Sequence, residues 1–544
     1  MKIRIFIVFV FIMSTFAILK AQTQYFFYVQ FSDKNNTTYS LQRPAEYLST
    51  RAIERRISFH IAIDSTDLPV NQTYVNQIAA LGIKVHSRSK WMNGVTVMLS
   101  DSGMMHLVRE LNFVKFTQYT GKMTTTPASV IQKSQTQETG YIYGNAATQI
   151  NQLNGTTLHN NGFRGQGIQI GILDAGFSNV DVNRGFDSLR LQGRLLGTKD
   201  IILPGNNVFR EHTHGAQVLS TMAGNIDGQY IGTAPKASFW LIRTEYDPTE
   251  YLSETDFWVS GIEFADSAGV DVINSSLGYT TFNDPSMNFT YNDMNGKVSR
   301  ASRAATMAAE KGIIVCNSAG NDGGKSWNYL GVPADADKIF TVGSVTSANT
   351  PSSFSSFGPS ADQRIKPDVC AMGSLSCVIF PDGVISTNNG TSFSSPIMAG
   401  MLSCLLQRYK AFDPNPVMSV FYRAVIESCN NYATPTPQSG YGIPDFVVAE
   451  SKLPIYDGVG KLLKTNENHA EIRQYPTGIQ IKIREGNNTG MYNIRIYNSN
   501  GILIYSKNLN ESMATISTSH FSPGVCVMMI NLNGATQINK ILIP

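Results

Sequence analysis

Between residues 140 and 452 the chain alternates short, almost continuously apolar runs with longer stretches of helical period. "IQIGILD" (168–174), "ASFWLIR" (237–243), "VDVINSS" (270–276), "GIIVCNS" (312–318) and "KIFTVGSV" (338–345) have the length and uniform apolarity of strands buried on both faces. Segments 214–223, 254–268 and 299–311 read as helices between them. This alternation predicts a three-layer α/β domain, a parallel sheet with helices on both sides, whose reactive groups gather beyond the carboxyl ends of the strands. Residues 22–120 have a different order. Strands at 25–31, 83–89, 94–100 and 113–119 and helices at 74–82 and 104–111 give β-α-β-β-α-β, a split-βαβ α+β unit with a turn at Asn93-Gly94. An insertion at 42–70 carries "YLSTRAIERR", which reads as a basic, exposed helix. The tract 121–139 is rich in Thr, Ser and Gln and has little periodicity, so it reads as a linker open to cleavage. After a second linker at 453–465, helical period disappears. Runs at 478–484, 491–498, 501–507, 524–532 and 536–543 alternate as strands, with turn signals at Asn500-Gly501 and Asn533-Gly534. A small all-β sandwich is expected over 466–544.

Charge and composition remove whole classes of function. Net charge is +3 and charged residues make up 15% of the chain, so there is neither a basic stripe for nucleic acid nor an acidic tail. At the N-terminus, Lys2 and Arg4 precede an apolar stretch from Ile5 to Leu19, and Ala21 stands at a plausible cleavage edge. That layout is a secretory signal peptide over 1–21. The competing reading, a membrane anchor, is disfavoured because the run is shorter than the ~20 residues that span a bilayer. The six cysteines are too sparse for a disulfide scaffold. Cys316 and Cys404 lie in apolar runs as small hydrophobes, Cys370 and Cys377 are close enough in sequence to pair, and no Cys/His group has zinc spacing.

Four positions carry the candidate chemistry. Asp174 ends the first buried strand, His214 opens a helix of small residues ("HGAQVLSTMAG"), and Asn321 lies in "NSAGNDGG" just past a strand. "NNGTSFSSPIMAGMLS" (388–403) offers three hydroxyls at a turn: Thr391, Ser392 and Ser394. Each position alone has an ordinary structural role: a turn Asp, a satisfied core His, an Asn in a Gly-rich turn, a helix-capping Ser. His159 and His212 also compete with His214. Together, Asp174, His214, Asn321 and Ser392 supply a carboxylate, an imidazole, an amide donor and a hydroxyl, all at the same edge of the expected sheet. Acyl transfer needs that set. Ser392 is expected at a helix N-terminus, where backbone N–H groups and the helix dipole favour negative charge, with Pro396 tolerated in the first turn.

"GILDAGF", "HTHGAQVLSTMAG", "NSSLGY", "NSAGND" and "NNGTSFSSPIMAG" resemble the signature segments of the subtilisin-like serine peptidases, and "SGYGIPDFVVA" (439–449) is similar to that family's last helix region. The resemblance implies a subtilisin-like peptidase domain over 140–452, with Ser392 as nucleophile, His214 as general base and acid, Asp174 as orienting carboxylate and Asn321 in the oxyanion hole. Ser276, Leu277, Gly278, Ser318, Ala319 and Gly320 match the segments that bind substrate backbone. Departures are Ala175 where a hydroxyl is usual, Ala216-Gln217 for Thr-His, and Phe393-Ser394 for Met-Ala. A weakly active enzyme, or a binding protein on the same scaffold, is therefore the alternative to an endopeptidase. An esterase is disfavoured by the lack of a Gly-x-Ser-x-Gly elbow.

Residues 22–120 are similar in element order to the pro-regions of this family, which imply an intramolecular inhibitor; a retained accessory domain is the other reading. The C-terminal block resembles the sorting domain of Bacteroidetes proteins exported by the type IX secretion machinery. That implies a zymogen that is secreted or attached to the cell surface and acts on proteins or peptides; a carbohydrate-binding sandwich is the other reading of that block. The resemblance implies no cofactor for the chemistry. It leaves a structural calcium open, with oxygen-rich loops at 179–187 and 291–296 as candidates.

Overall fold

The computed structural model describes residues 23–124, 143–413, 415–454, 470–475, 478–483, 492–498, 502–532 and 535–543. The expected signal peptide, most of the two linkers, and the Asn500-Gly501 and Asn533-Gly534 turns lie outside the described residues. The chain divides into two compact units, Met1–Pro454 and Ile455–Pro544.

In the larger unit, seven strands form the central sheet in the order Val369–Met372, Phe340–Val345, Ile314–Ser318, Val272–Ser275, Gln169–Asp174, Ser238–Arg243, Leu195–Asp200, and all its pairings are parallel. The apolar runs are uniform because both faces are covered. Ile170, Ile172, Leu241, Val272 and Ile314 face a core shared with His214–Ala223 and Thr391–Phe412. Their chain neighbours Leu173, Ile242, Ile273 and Val315 face the opposite core, shared with Ser253–Ala268 and Arg300–Glu310. The five expected strands and four expected helices are all present. The edge strands Leu195–Asp200 and Val369–Met372 were not expected; the first is largely exposed ("LLGTKD"), so it lacks the apolar signal.

Residues 24–123 form an antiparallel sheet in the order Lys84–Ser89, Gly94–Leu99, Gln24–Phe31, Val114–Met123, as the split-βαβ pattern predicts. This sheet is held to the helix Ser253–Ala268. Glu263 accepts hydrogen bonds from Ser89 Oγ at 2.6 Å and from the backbone N–H groups of Lys90 and Trp91 at 2.7 and 3.1 Å. The insertion corrects an expectation. Its helix, Thr50–Ser58, is amphipathic, but Arg55 and Arg56 are buried rather than exposed. Both reach Asp266, at 2.5 and 3.0 Å, and Lys90 Nζ joins them at 2.7 Å. Burying these cations is tolerable only because they converge on a carboxylate.

The smaller unit is a sandwich. Ala470–Tyr475, Gly478–Ile483 and Met513–Ser517 make one sheet; Leu503–Leu509, Tyr492–Asn498, Gly524–Leu532 and Ala535–Ile543 make the other. Ile479, Ile481, Ile494, Ile496, Met528 and Ile530 share its core.

Candidate active site

Parallel register brings the carboxyl ends of the central strands level. Asp174 is paired with Arg243, Leu173 with Ser275, and Ser275 with Asn317. The segments that follow these strands therefore open on one rim. A cleft of about 340 Å³ lies there, lined among others by His214, Ser276, Leu277, Gly278, Ser318, Gly320, Asn321 and Ser392. Ala319 is the exception among the expected binding residues. It is fully buried and spends its N–H on Val342 O at 3.0 Å, so it faces the sheet and not the cleft.

Asp174 is fully buried and accepts from the Ala175 N–H at 2.8 Å. Its two oxygens lie 2.9 and 3.0 Å from His214 Nδ1. Two glycines permit that approach. A Cβ on Gly215 would strike the Gly176 carbonyl, and one on Gly176 would strike the His212 backbone. Burial alone would lower the His214 pKa, but the Asp174 charge, its hydrogen bond and the Glu245 charge outweigh it, and the pKa stands above the ordinary histidine value. The rival histidines are placed elsewhere. His159 is buried against Thr233 O and Tyr143 Oη, where desolvation lowers its pKa to about 4. His212 stands 3.6 Å from Asp247 at the cleft wall.

The three hydroxyls at 391–394 separate cleanly. Thr391 and Ser394 are fully buried, and Ser394 Oγ donates to Thr391 O at 3.0 Å. Ser392 is half-buried and lines the cleft. It does not cap the helix: Thr391–Phe412 starts one residue earlier, with Gly390 at the cap in a positive-φ conformation (φ 151°). Pro396 consequently lies beyond the first turn. It has no N–H to give the carbonyl four residues back, which is that of Ser392. Ser276 Oγ donates to that carbonyl instead, at 2.8 Å. Beneath it, Asn274 Nδ2 donates to Ser276 Oγ at 3.1 Å and Ser395 Oγ to Asn274 Oδ1 at 2.8 Å.

Asn321 is oriented by Thr391. The Thr391 N–H and Oγ1 donate to Asn321 Oδ1 at 2.9 and 3.0 Å, while Gly320 N–H donates to Thr391 Oγ1 at 3.2 Å. A backbone N–H can only donate, so Oδ1 must face Thr391 and Nδ2 must point away from it. Thr391, Asn274 and Ser395 were not singled out for these positioning roles. The one sequence signal was the spacing of Pro396 from Ser392.

The departures fit locally. Ala175 is buried against the Asp174 turn, and Gln217 Oε1 accepts from Asn388 Nδ2 at 2.9 Å. The oxygen-rich loops do not converge on a cation site. Asp181 takes Arg210 at 2.9 and 3.0 Å, Asp187 takes Arg190, and Asp293 Oδ2 accepts from Thr290 N and Oγ1, both at 2.7 Å. All six cysteines are free and buried, so Cys370 and Cys377 do not pair.

Comparison with known proteins agrees with this geometry. Residues 26–139 match the family described as the peptidase S8 propeptide domain of Bacteroidota, and residues 475–544 match a secretion system C-terminal sorting domain. Subtilisin NAT of Bacillus subtilis subsp. natto is 28% identical over 265 residues, 48% of this chain and 61% of that protein. Subtilisin DY of Bacillus licheniformis is 30% identical over 261 residues, 47% of this chain and 82% of that protein. The serine protease AprX of Bacillus subtilis (strain 168) is 25% identical over 293 residues, 48% of this chain and 61% of that protein. The subtilase family model matches residues 165–443, half of the chain, and the chain belongs to the subtilase family.

Proposed function

We propose that this protein is a serine endopeptidase made as a zymogen, and that Asp174, His214, Ser392 and Asn321 carry its chemistry. The observation that supports this most is the Asp174–His214 hydrogen bond, on the rim of a cleft that Ser392 and Asn321 also line. His214 Nδ1–H is held by Asp174, which leaves Nε2 as the proton acceptor. Ser392 Oγ attacks the carbonyl carbon of the peptide bond and gives its proton to Nε2. The oxygen of the tetrahedral intermediate accepts from Asn321 Nδ2 and the Ser392 N–H. The intermediate collapses as the imidazolium protonates the leaving amine, giving an acyl-enzyme, and water then repeats the sequence to release the acid. Substrate backbone adds as an extended strand along 276–278 and beside Ser318 and Gly320.

The segment 22–120 acts as the intramolecular inhibitor, cut away within 121–139, and the C-terminal unit is the address for type IX export to the cell surface or beyond. The test is Ser392→Ala. Loss of both peptide hydrolysis and self-cleavage between the two parts of the larger unit is expected; retained turnover would refute the assignment.

A further inference from the structure

One wall of the cleft carries a cluster that the proton-transfer chemistry does not use. Glu245 follows the strand Ser238–Arg243, Glu250 lies in the loop beyond it, and Glu254 is in the first turn of Ser253–Ala268. Each offers a carboxylate oxygen, and the three oxygens lie within 4.8 Å of one another. Glu245 and Glu250 open on the same cleft as His214, Ser392, Leu277 and Gly278. Glu254 lies behind them at 2% exposure, and its Oε2 has no hydrogen-bond partner. Tyr279, one residue past the Ser276–Gly278 segment, is 1% exposed and its Oη is also unpartnered. Among the described residues, none of the three glutamates makes an ion pair. Buried acidic oxygens are normally met by a donor or a cation. Here the cation is missing from the protein.

We propose that Glu245, Glu250 and Glu254 form a seat for the ammonium or guanidinium group of a basic side chain in the peptide substrate, making the enzyme selective for Lys or Arg near the scissile bond. This rests on the peptidase reading of the same cleft. A long basic side chain fits because its apolar stem can cross the half-buried wall while its head reaches the carboxylates. A resident calcium fits less well, since it takes six to eight oxygen ligands and the cluster presents three carboxylates. The electrostatics run the same way. Burial, then the Glu250 and Asp174 charges, push Glu245 up to about 8. Burial and Asp247 push Glu250 up to about 7, and burial with both neighbours raises Glu254 well above the carboxylate range. Facing groups are Asp174, Asp247, Tyr279 and His214, and the last is the one cationic group among them. A basic side chain entering the seat would return the carboxylates to their charged form.

The test compares peptides that carry Arg, Lys or the neutral norleucine at each position around the bond, by kcat/KM and by equilibrium binding. At one position the basic peptide is expected to exceed the norleucine peptide by about tenfold or more in both readouts. That ratio should fall toward one in Glu250→Gln and Glu245→Gln, whose folding is checked by thermal melting. A ratio near one at every position overturns the proposal, and so does a preference that survives both substitutions. Stoichiometric calcium in the purified protein that disappears in Glu254→Gln would also overturn it, in favour of a metal seat. If no peptide is hydrolysed, the peptidase reading fails and the binding ratios still decide the seat.

Discussion

The Ser276 hydroxyl donates to the carbonyl of Ser392 at 2.8 Å, and it does so in place of the N–H that Pro396 lacks. The proline leaves one helical carbonyl unclaimed, and the substrate-binding segment claims it. The segment expected to hold the peptide and the residue proposed to attack it are thereby locked together. Ser276→Ala is expected to leave the carbonyl unmet, costing about 1 kcal/mol of stability and lowering kcat. Adding Pro396→Ala supplies an N–H four residues along, so the double variant should recover part of the loss. Denaturation midpoints of the four proteins check this; strictly additive effects would contradict it.

Thr391 fixes the amide of Asn321 by donating to its oxygen twice. Asn321→Ala should lower kcat by about 10²–10³, the magnitude known for this donor in subtilisin itself. Thr391→Val removes one of the two donors and leaves the amide in place. It should lower kcat by a smaller factor with little change in KM. Equal effects on kcat and KM would mean that Thr391 acts on binding instead.

The pH profile has a definite sign. Asp174 and Glu245 hold the His214 pKa above about 6.5, its ordinary value, against the opposing effect of burial. Only neutral imidazole can take the Ser392 proton, so kcat/KM should rise with pH through this elevated pKa. For stability the direction is reversed. The His214 contribution is complete below the unfolded pKa and is lost as pH rises through the folded one. Glu245→Gln removes one of the raising charges, so the acid limb of the kcat/KM profile should move to lower pH. An unmoved midpoint would contradict the assignment of that limb to His214.

Asp266 gathers Arg55, Arg56 and Lys90 from residues 24–123 onto the helix Ser253–Ala268. Its own burial would raise its pKa, but the three cations hold it far below the carboxylate range. Its stabilising contribution is therefore present above the unfolded carboxylate pKa and lost only as pH falls through the depressed value. Asp266→Ala strands three buried cations and should cost about 3–5 kcal/mol. Thermal melting of the full-length precursor in a Ser392→Ala background, where it cannot cut itself, measures this. An unchanged melting temperature would show that the network does not hold the two parts together.

The sequence exposed much of this architecture because burial on both faces leaves a plain mark. Strands such as "IQIGILD" are apolar at every position, and the helices between them keep their period. What stayed hidden was set by partners distant in the chain. Arg55 and Arg56 look like surface residues until Asp266, more than 200 positions away, is placed against them. The strand Leu195–Asp200 is an edge and carries Lys199 and Asp200. The Asp174, His214, Asn321 and Ser392 set was readable because each stands at the end of an element. Thr391, Asn274 and Ser395 were not, since a buried hydroxyl or amide has no sequence mark that separates a positioning role from ordinary capping. The glutamates at 245, 250 and 254 are spread across a loop and a helix start, and only the folded chain brings their oxygens together.

Reaction with a fluorophosphonate tests the central claim most directly, because it requires a hydroxyl activated by its surroundings. Processed, folded protein treated with the probe is expected to gain one adduct per chain, mapped by peptide mass to Ser392 and absent in His214→Ala. An adduct on Thr391 or Ser394, or no adduct on protein shown to be processed and folded, would contradict the account.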